Sequence, residues 1–210
     1  MKTRLIIAAT ALVVVPLTWA FSACESSDLP APTAKIAVEP LSPSDQEALY
    51  FMLEEEKLAR DVYQFLGDLW SHQTFLNIVQ SEAQHMSAVT TLLEANALPF
   101  TVEAPGEFQN PELQALYDQL TEQGRTDLSQ ALKVGALIED LDIADLETFI
   151  QATDHPDLIR TFERLQCGSR NHLRAFSNAL DALGDTYAPA YISAEEYQVI
   201  LSNSNERCGR

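Results

Sequence analysis

Six residues able to bind metal ions fall inside otherwise apolar helical stripes of this chain: Glu56, Glu82 with His85, Glu139 with Asp142, and His172. Burying so many ionisable groups is costly unless something neutralises them, and a pair of divalent or trivalent metal ions does so most directly. Glu82 and His85 are three apart and share one helical face. A carboxylate oxygen beside an imidazole nitrogen suits iron or manganese better than an all-oxygen calcium site. Alone, Glu-x-x-His is a weak signal. Its weight comes from the carboxylates and the histidine that three further helices bring to their own core stripes. A competing reading pairs Glu82, Glu139 and Asp142 with Arg60, Arg170 and Arg174 in a metal-free buried network. His172 taken alone reads as a hydrogen-bonded core histidine.

The elements that must position these residues are helices. The first is expected to open at Ser44 and run to about Trp70, with Leu49, Met52, Ala59, Val62, Tyr63, Leu66 and Leu69 on one face. The centre of that face passes between Glu55 and Glu56, so one of the two must point inward. The second begins near Thr74 and aligns Phe75, Ile78, Val79, Met86, Val89, Leu92 and Leu93 with Glu82 and His85. From Ala95 to Asn110 the period breaks at Pro99, Pro105 and Gly106, predicting a long connection that crosses to the far end of a bundle. A short helix from Pro111 to about Gln123, stopped by Gly124, precedes a long one from Thr126 or Asp127 to Ala152. The last long helix starts near His155-Pro156 and reaches Leu183, and Tyr191–Leu201 forms one small further helix. Strand signals are absent, so the fold class is all-α: a four-helix bundle with a long crossover connection and extra short helices.

Residues 1–23 have a basic start at Lys2 and Arg4, an apolar run and small residues at Ser22 and Ala23, the layout of an export signal. Phe21-Ser22-Ala23-Cys24 is similar to a bacterial lipobox, which makes Cys24 a lipidation site and a membrane anchor; the plainer alternative is an ordinary cleavage site near Ala23. Export to the periplasm or cell envelope is the expectation. With Cys24 taken by lipid, Cys167 and Cys208 remain as an even pair in a compartment where a disulfide persists. Residues 24–43 are rich in Pro, Ser and Ala and read as a flexible tether, and residues 44–210 as one domain. The net charge is −18. Nucleic acid is excluded as a partner, because phosphate binding needs clustered Lys and Arg.

EKLARDVY (Glu56–Tyr63) resembles the first ligand helix of the rubrerythrin branch of ferritin-like proteins, and SEAQHM (Ser81–Met86) resembles the second. Together with LKVGALIEDLDIADLE and CGSRNHLRAF, these runs make residues 44–201 similar to the DUF2202 family of ferritin-like domains. The resemblance implies two Fe or Mn ions held by Glu56 in preference to Glu55, a bridging Glu82, His85, Glu139 with Asp142, and His172. Arg60 and Arg170 would orient ligand carboxylates. Gly168-Ser169 stand where rubrerythrins carry one more carboxylate, which implies an open coordination position or a single-metal site. Tyr63 would donate a hydrogen bond or a transient electron. The implied chemistry is a ferroxidase or peroxide-reducing oxidoreductase acting with dioxygen or peroxide and drawing electrons from a separate partner or from Fe(II). The alternative is a non-catalytic metal-sequestering or protein-binding bundle. Self-association as a homodimer is left open.

Overall fold

The structure is a computed structural model that describes residues 40–209. The stretches expected to serve as an export signal (residues 1–23), as a lipidation site (Cys24) and, up to residue 39, as a tether lie outside the described residues. The helices are α1 (Pro43–Trp70), α2 (Gln73–Ala95), α3 (Pro111–Gly124), α4 (Leu128–Ala152), α5 (Pro156–Ala182) and α6 (Ala194–Ser202), and no strand occurs among the described residues. The all-α bundle expected from the period of the apolar residues is what the chain forms.

Local chemistry sets the helix ends. The cap of α1 is Ser42, not Ser44: its hydroxyl accepts from the Asp45 amide while Asp45 accepts from the Ser42 amide, a reciprocal box that satisfies two orphan donors. Leu41 is buried in the core, so the folded domain begins earlier than the expected boundary at residue 44. Asn110, Asp127 and Ser193 cap α3, α4 and α6 through their side chains. Gly124 belongs to the last turn of α3, where a Cβ would press within 2.5 Å of Leu66.

The most extensive packing joins α1 to α2 and α4 to α5. Two apolar clusters fill the interior. One takes the C-terminal half of α1, the start of α2, the N-terminal half of α4 and the C-terminal half of α5; the other takes the four opposite halves. Glu56, Glu82, Glu139 and His172 lie near the middle of their helices, between these two apolar layers. That arrangement runs α2 parallel to α4, and residues 96–110 with α3 make the crossover. In the first cluster, Tyr63, Phe75 and Phe176 meet with ring centroids 5.1 to 6.0 Å apart. Gly135 allows this, since a Cβ there would stand 2.3 Å from the Phe176 ring.

The crossover is anchored by a charge that pattern reading passes over. Lys57 is fully buried, and its Nζ donates to Asp61 at 2.6 Å and to the carbonyls of Ala104 and Glu107 at 2.9 Å, 4.2 Å above the Phe108 ring. All three ammonium protons are therefore used. Asp61 also accepts from the Gly106 amide. At the other end, Asp140 has no exposed surface and accepts from the Tyr187 hydroxyl and the amides of Ala190, Tyr191 and Ile192, which folds the segment after α5 onto α4. Cys167 and Cys208 form the expected disulfide. Closing its loop stabilises the fold by about 4 kcal/mol in a chain-entropy treatment.

Replacing Lys57 with Met removes the donor while leaving Asp61 and two carbonyls buried, so the unfolding free energy should fall by about 3 kcal/mol. The urea midpoint measures this, and a change below about 1 kcal/mol would mean that the crossover is held elsewhere.

Candidate metal centre

One side chain or more from each long helix reaches the polar layer. Among the described residues, two groups have the composition and spacing of a metal site: Glu56, Glu82 and His85, and Glu82, Glu139 and His172, each with its ligand atoms within 4.8 Å of one another. Glu82 belongs to both. His85 Nδ1 lies 2.9 Å from Glu82 Oε2 and 3.1 Å from Glu56 Oε2. His172 Nδ1 stands 2.8 Å from Glu82 Oε1 and 3.4 Å from Glu139 Oε2, yet aligns with neither as a hydrogen bond. The imidazole rings stack with centroids 5.5 Å apart. Tyr63 donates to Glu139 Oε1 at 2.6 Å, which turns the other oxygen of Glu139 toward His172.

Supporting contacts fix the ring nitrogens. His172 Nε2 is 2.9 Å from Ser81 Oγ, a contact that leaves Nδ1 facing the carboxylates. Gly168 makes room for His85, because a Cβ at that position would sit 2.5 Å from His85 Nε2. Ser169 bonds Asp142 Oδ2. The residues standing where a further carboxylate was expected thus do other work: Gly168 admits a ligand ring and Ser169 holds a neighbouring acid. Asp142 is buried beside Glu56, Glu139 and Glu82, with its Oδ1 unpartnered. A groove of about 320 Å³ between α2 and α5 opens onto the outer edges of His85 and His172, with Glu206 and Cys208 in its wall.

The expected arginine contacts do not form. Arg60 lies on the more exposed flank of α1 and pairs with Asp61 at 2.6 Å. Arg170 bonds Glu206 through two nitrogens and also Gln166, while Arg174 bonds Glu206, Asn171 and the Ile200 carbonyl. Both are turned to the side of α5 covered by the C-terminal tail. Neither second-sphere role assigned to Arg60 and Arg170 stands, and the arginine network is equally overturned. Both Glu55 and Glu56 are buried, where the stripe passing between them required one of the two to point inward. Glu56 joins the first group, whereas Glu55 faces Asp142 and Asp145. The centre line between the two had marked this outcome, but Ser81 and Ser169 carried no period that could single them out.

Without a metal ion, protons do the neutralising. Burial raises the Glu56 pKa to about 7, against the pull of His85 and with the help of Glu82. Burial opposes ionisation of Glu82 as well, but the charges of His172 and His85 outweigh it and hold its pKa well below the usual carboxylate range. Burial lowers the His172 pKa, yet Glu82 and Glu139 override it and bring the value to about 10. Asp142, Glu55 and Glu139 are all raised, with burial the leading cause. The buried oxygens Glu56 Oε1, Glu82 Oε1 and Asp142 Oδ1 and the ring nitrogen His172 Nδ1 have no aligned hydrogen-bond partner. Buried polar atoms left unpaired within and beside the two groups, from mixed oxygen and nitrogen donors, fit transition-metal chemistry.

Residues 45–204 match the family described as uncharacterized protein domain DUF2202. The chain belongs to the DUF2202 family. This DUF2202 chain is 50% identical over 171 residues to uncharacterized protein MJ0754 of Methanocaldococcus jannaschii, covering 80% of this chain and 92% of that protein. The crystal structure of hypothetical protein MJ0754 from Methanococcus jannaschii matches with a TM-score of 0.79, over 80% of this chain and 97% of the other.

The protonation pattern has a measurable sign. Glu56 keeps its proton up to about pH 7, above its ordinary value of 4.5, and His172 keeps its own up to about 10, above 6.5. Each contribution to stability is complete below the lower value and lost as pH rises through the higher one. Glu82 is ionised throughout this window and adds no slope. The melting temperature of chelator-treated DUF2202 protein should therefore fall steadily between about pH 5 and pH 10. Calorimetric scans across that range check it, and a flat or rising profile would contradict the protonation states described.

Proposed function

We propose that this protein is an exported, lipid-anchored, ferritin-like member of its family that binds two iron or manganese ions and acts as a ferroxidase or peroxide-reducing oxidoreductase. The observation that carries the reading is the sharing of Glu82 by two buried carboxylate–histidine groups that no lysine or arginine enters. On this reading Glu56 and His85 would hold one ion and Glu139 and His172 the other, with Glu82 common to both groups and Asp142 available as an additional oxygen donor. The four carboxylates balance two divalent charges, so metal loading displaces the protons held by Glu56, Asp142, His85 and His172.

Bound iron would supply one-electron reactivity toward dioxygen or hydrogen peroxide. The chain's own residues set the conditions for it. Tyr63 orients Glu139 and can return a proton to it, Ser81 fixes the metal-facing nitrogen of His172, and the apolar layers on either side keep bulk water out. The groove beside His85 and His172, of about 320 Å³, has the volume to hold a diatomic oxidant or peroxide. Export is supported by the residue pattern before Cys24 and by the Cys167–Cys208 disulfide, which persists in oxidising compartments.

Elemental analysis of protein isolated from its native envelope tests the reading, paired with anaerobic Fe(II) loading followed by exposure to dioxygen or peroxide. About two transition-metal ions per chain are expected, with an oxidant-dependent ultraviolet change. Glu82→Ala and Glu139→Ala should lose most of the metal while keeping the helical circular dichroism of the parent. Full metal retention in both variants would overturn the ligand assignment. Metal binding without any oxidant-dependent change would favour a metal-sequestering role over catalysis.

A further inference from the structure

A second cavity, of about 760 Å³, lies between the first turns of α1, the last turn of α4, Phe162 of α5 and the crossover. Its volume is that of a site for a small organic molecule. The walls are aromatic: Tyr50, Phe51, Phe100, Phe149 and Phe162. Phe51 meets Phe149 edge to face at 5.8 Å, and Phe149 meets Phe162 at 6.1 Å, so the rings hold one another in place and the cavity is preformed.

Charge at the rim is of one sign. Asp45, Glu47 and Glu54 line the cavity, and among the described residues no Lys, Arg or His does. Asp45 bonds Ser42 and Thr153 and feels the charge of His155, whereas Glu54 accepts from the amides of Gln109 and Asn110 at 2.7 Å, an arrangement of neutral donors that leaves its charge uncompensated. Glu47 is exposed and, among the described residues, makes neither a hydrogen bond nor an ion pair. An anionic ligand would meet three like charges on a protein already at −18. A cation would meet those carboxylates and the faces of several rings, both attractive. We propose that this groove binds an amphipathic organic cation, an alkyl- or arylammonium whose apolar body lies among the rings and whose head stands at Glu47.

Calorimetric titration of the full-length protein with phenylbutylammonium, phenylbutanol and phenylbutyrate tests this, because the three share a body and differ in the head group. One saturable site is expected, with the ammonium bound at least about tenfold more tightly than the carboxylate and the alcohol between them. Glu47→Gln should weaken the ammonium several-fold and leave the alcohol unchanged. Ala152→Trp places an indole in the groove from an exposed position at the end of α4 and should abolish binding of both, with thermal melting to show that the variant is folded. Equal affinity for all three heads would overturn the proposal. So would retention of binding by a folded Ala152→Trp variant, or the absence of saturable ammonium binding below about 10 mM.

Discussion

A layer of buried acids that, among the described residues, no lysine or arginine enters is the constraint around which this bundle is organised. Glu55, Glu56, Glu82, Glu139 and Asp142 all lie within it, each at most 5% exposed. Only two imidazoles share the space. Charges so placed must be balanced by protons or by metal cations, since the Born cost of leaving them bare exceeds the stability of a whole domain. The apolar clusters on either side account for the folding free energy, and the layer between them draws on it.

The charges of Lys57, Arg170, Arg174 and Asp140, each close in sequence to a member of that layer, are turned away from it. Lys57 is one residue from Glu56, but its ammonium is turned outward to Asp61 and the crossover carbonyls. Arg170 and Arg174 flank His172 in sequence and are engaged by Glu206 from the tail. Asp140 neighbours Glu139 and spends its oxygens on four donors from the segment after α5. The loops are thus held by ion and hydrogen-bond contacts drawn from the same helices as the site, but from their other faces. Specific partners of this kind keep the cations away from the interior as effectively as distance would.

Much of this was legible from residue periodicity. The helices fall where their apolar residues repeat, and Glu56, Glu82, His85, Glu139 and His172 converge from four separate rods as their stripes required. What was not legible depends on contacts between residues distant in the chain. Arg60 has a spacing compatible with the site, yet the adjacent Asp61, already committed to Lys57 and Gly106, captures it. The cap at Ser42 was misplaced because Ser44 also precedes acids. Ser81 meets His172 across 91 residues, and no local pattern announces a pairing of that range.

Gly168 carries a consequence for how this centre can change. The space a side chain would take there is filled by the ring of His85, so even one methyl group would require that ring to move. An oxygen donor introduced at that point of α5 could only come at the expense of an existing nitrogen donor. The mix of oxygen and nitrogen donors that this part of the interior can present is therefore set in part by the residue that has no side chain at all.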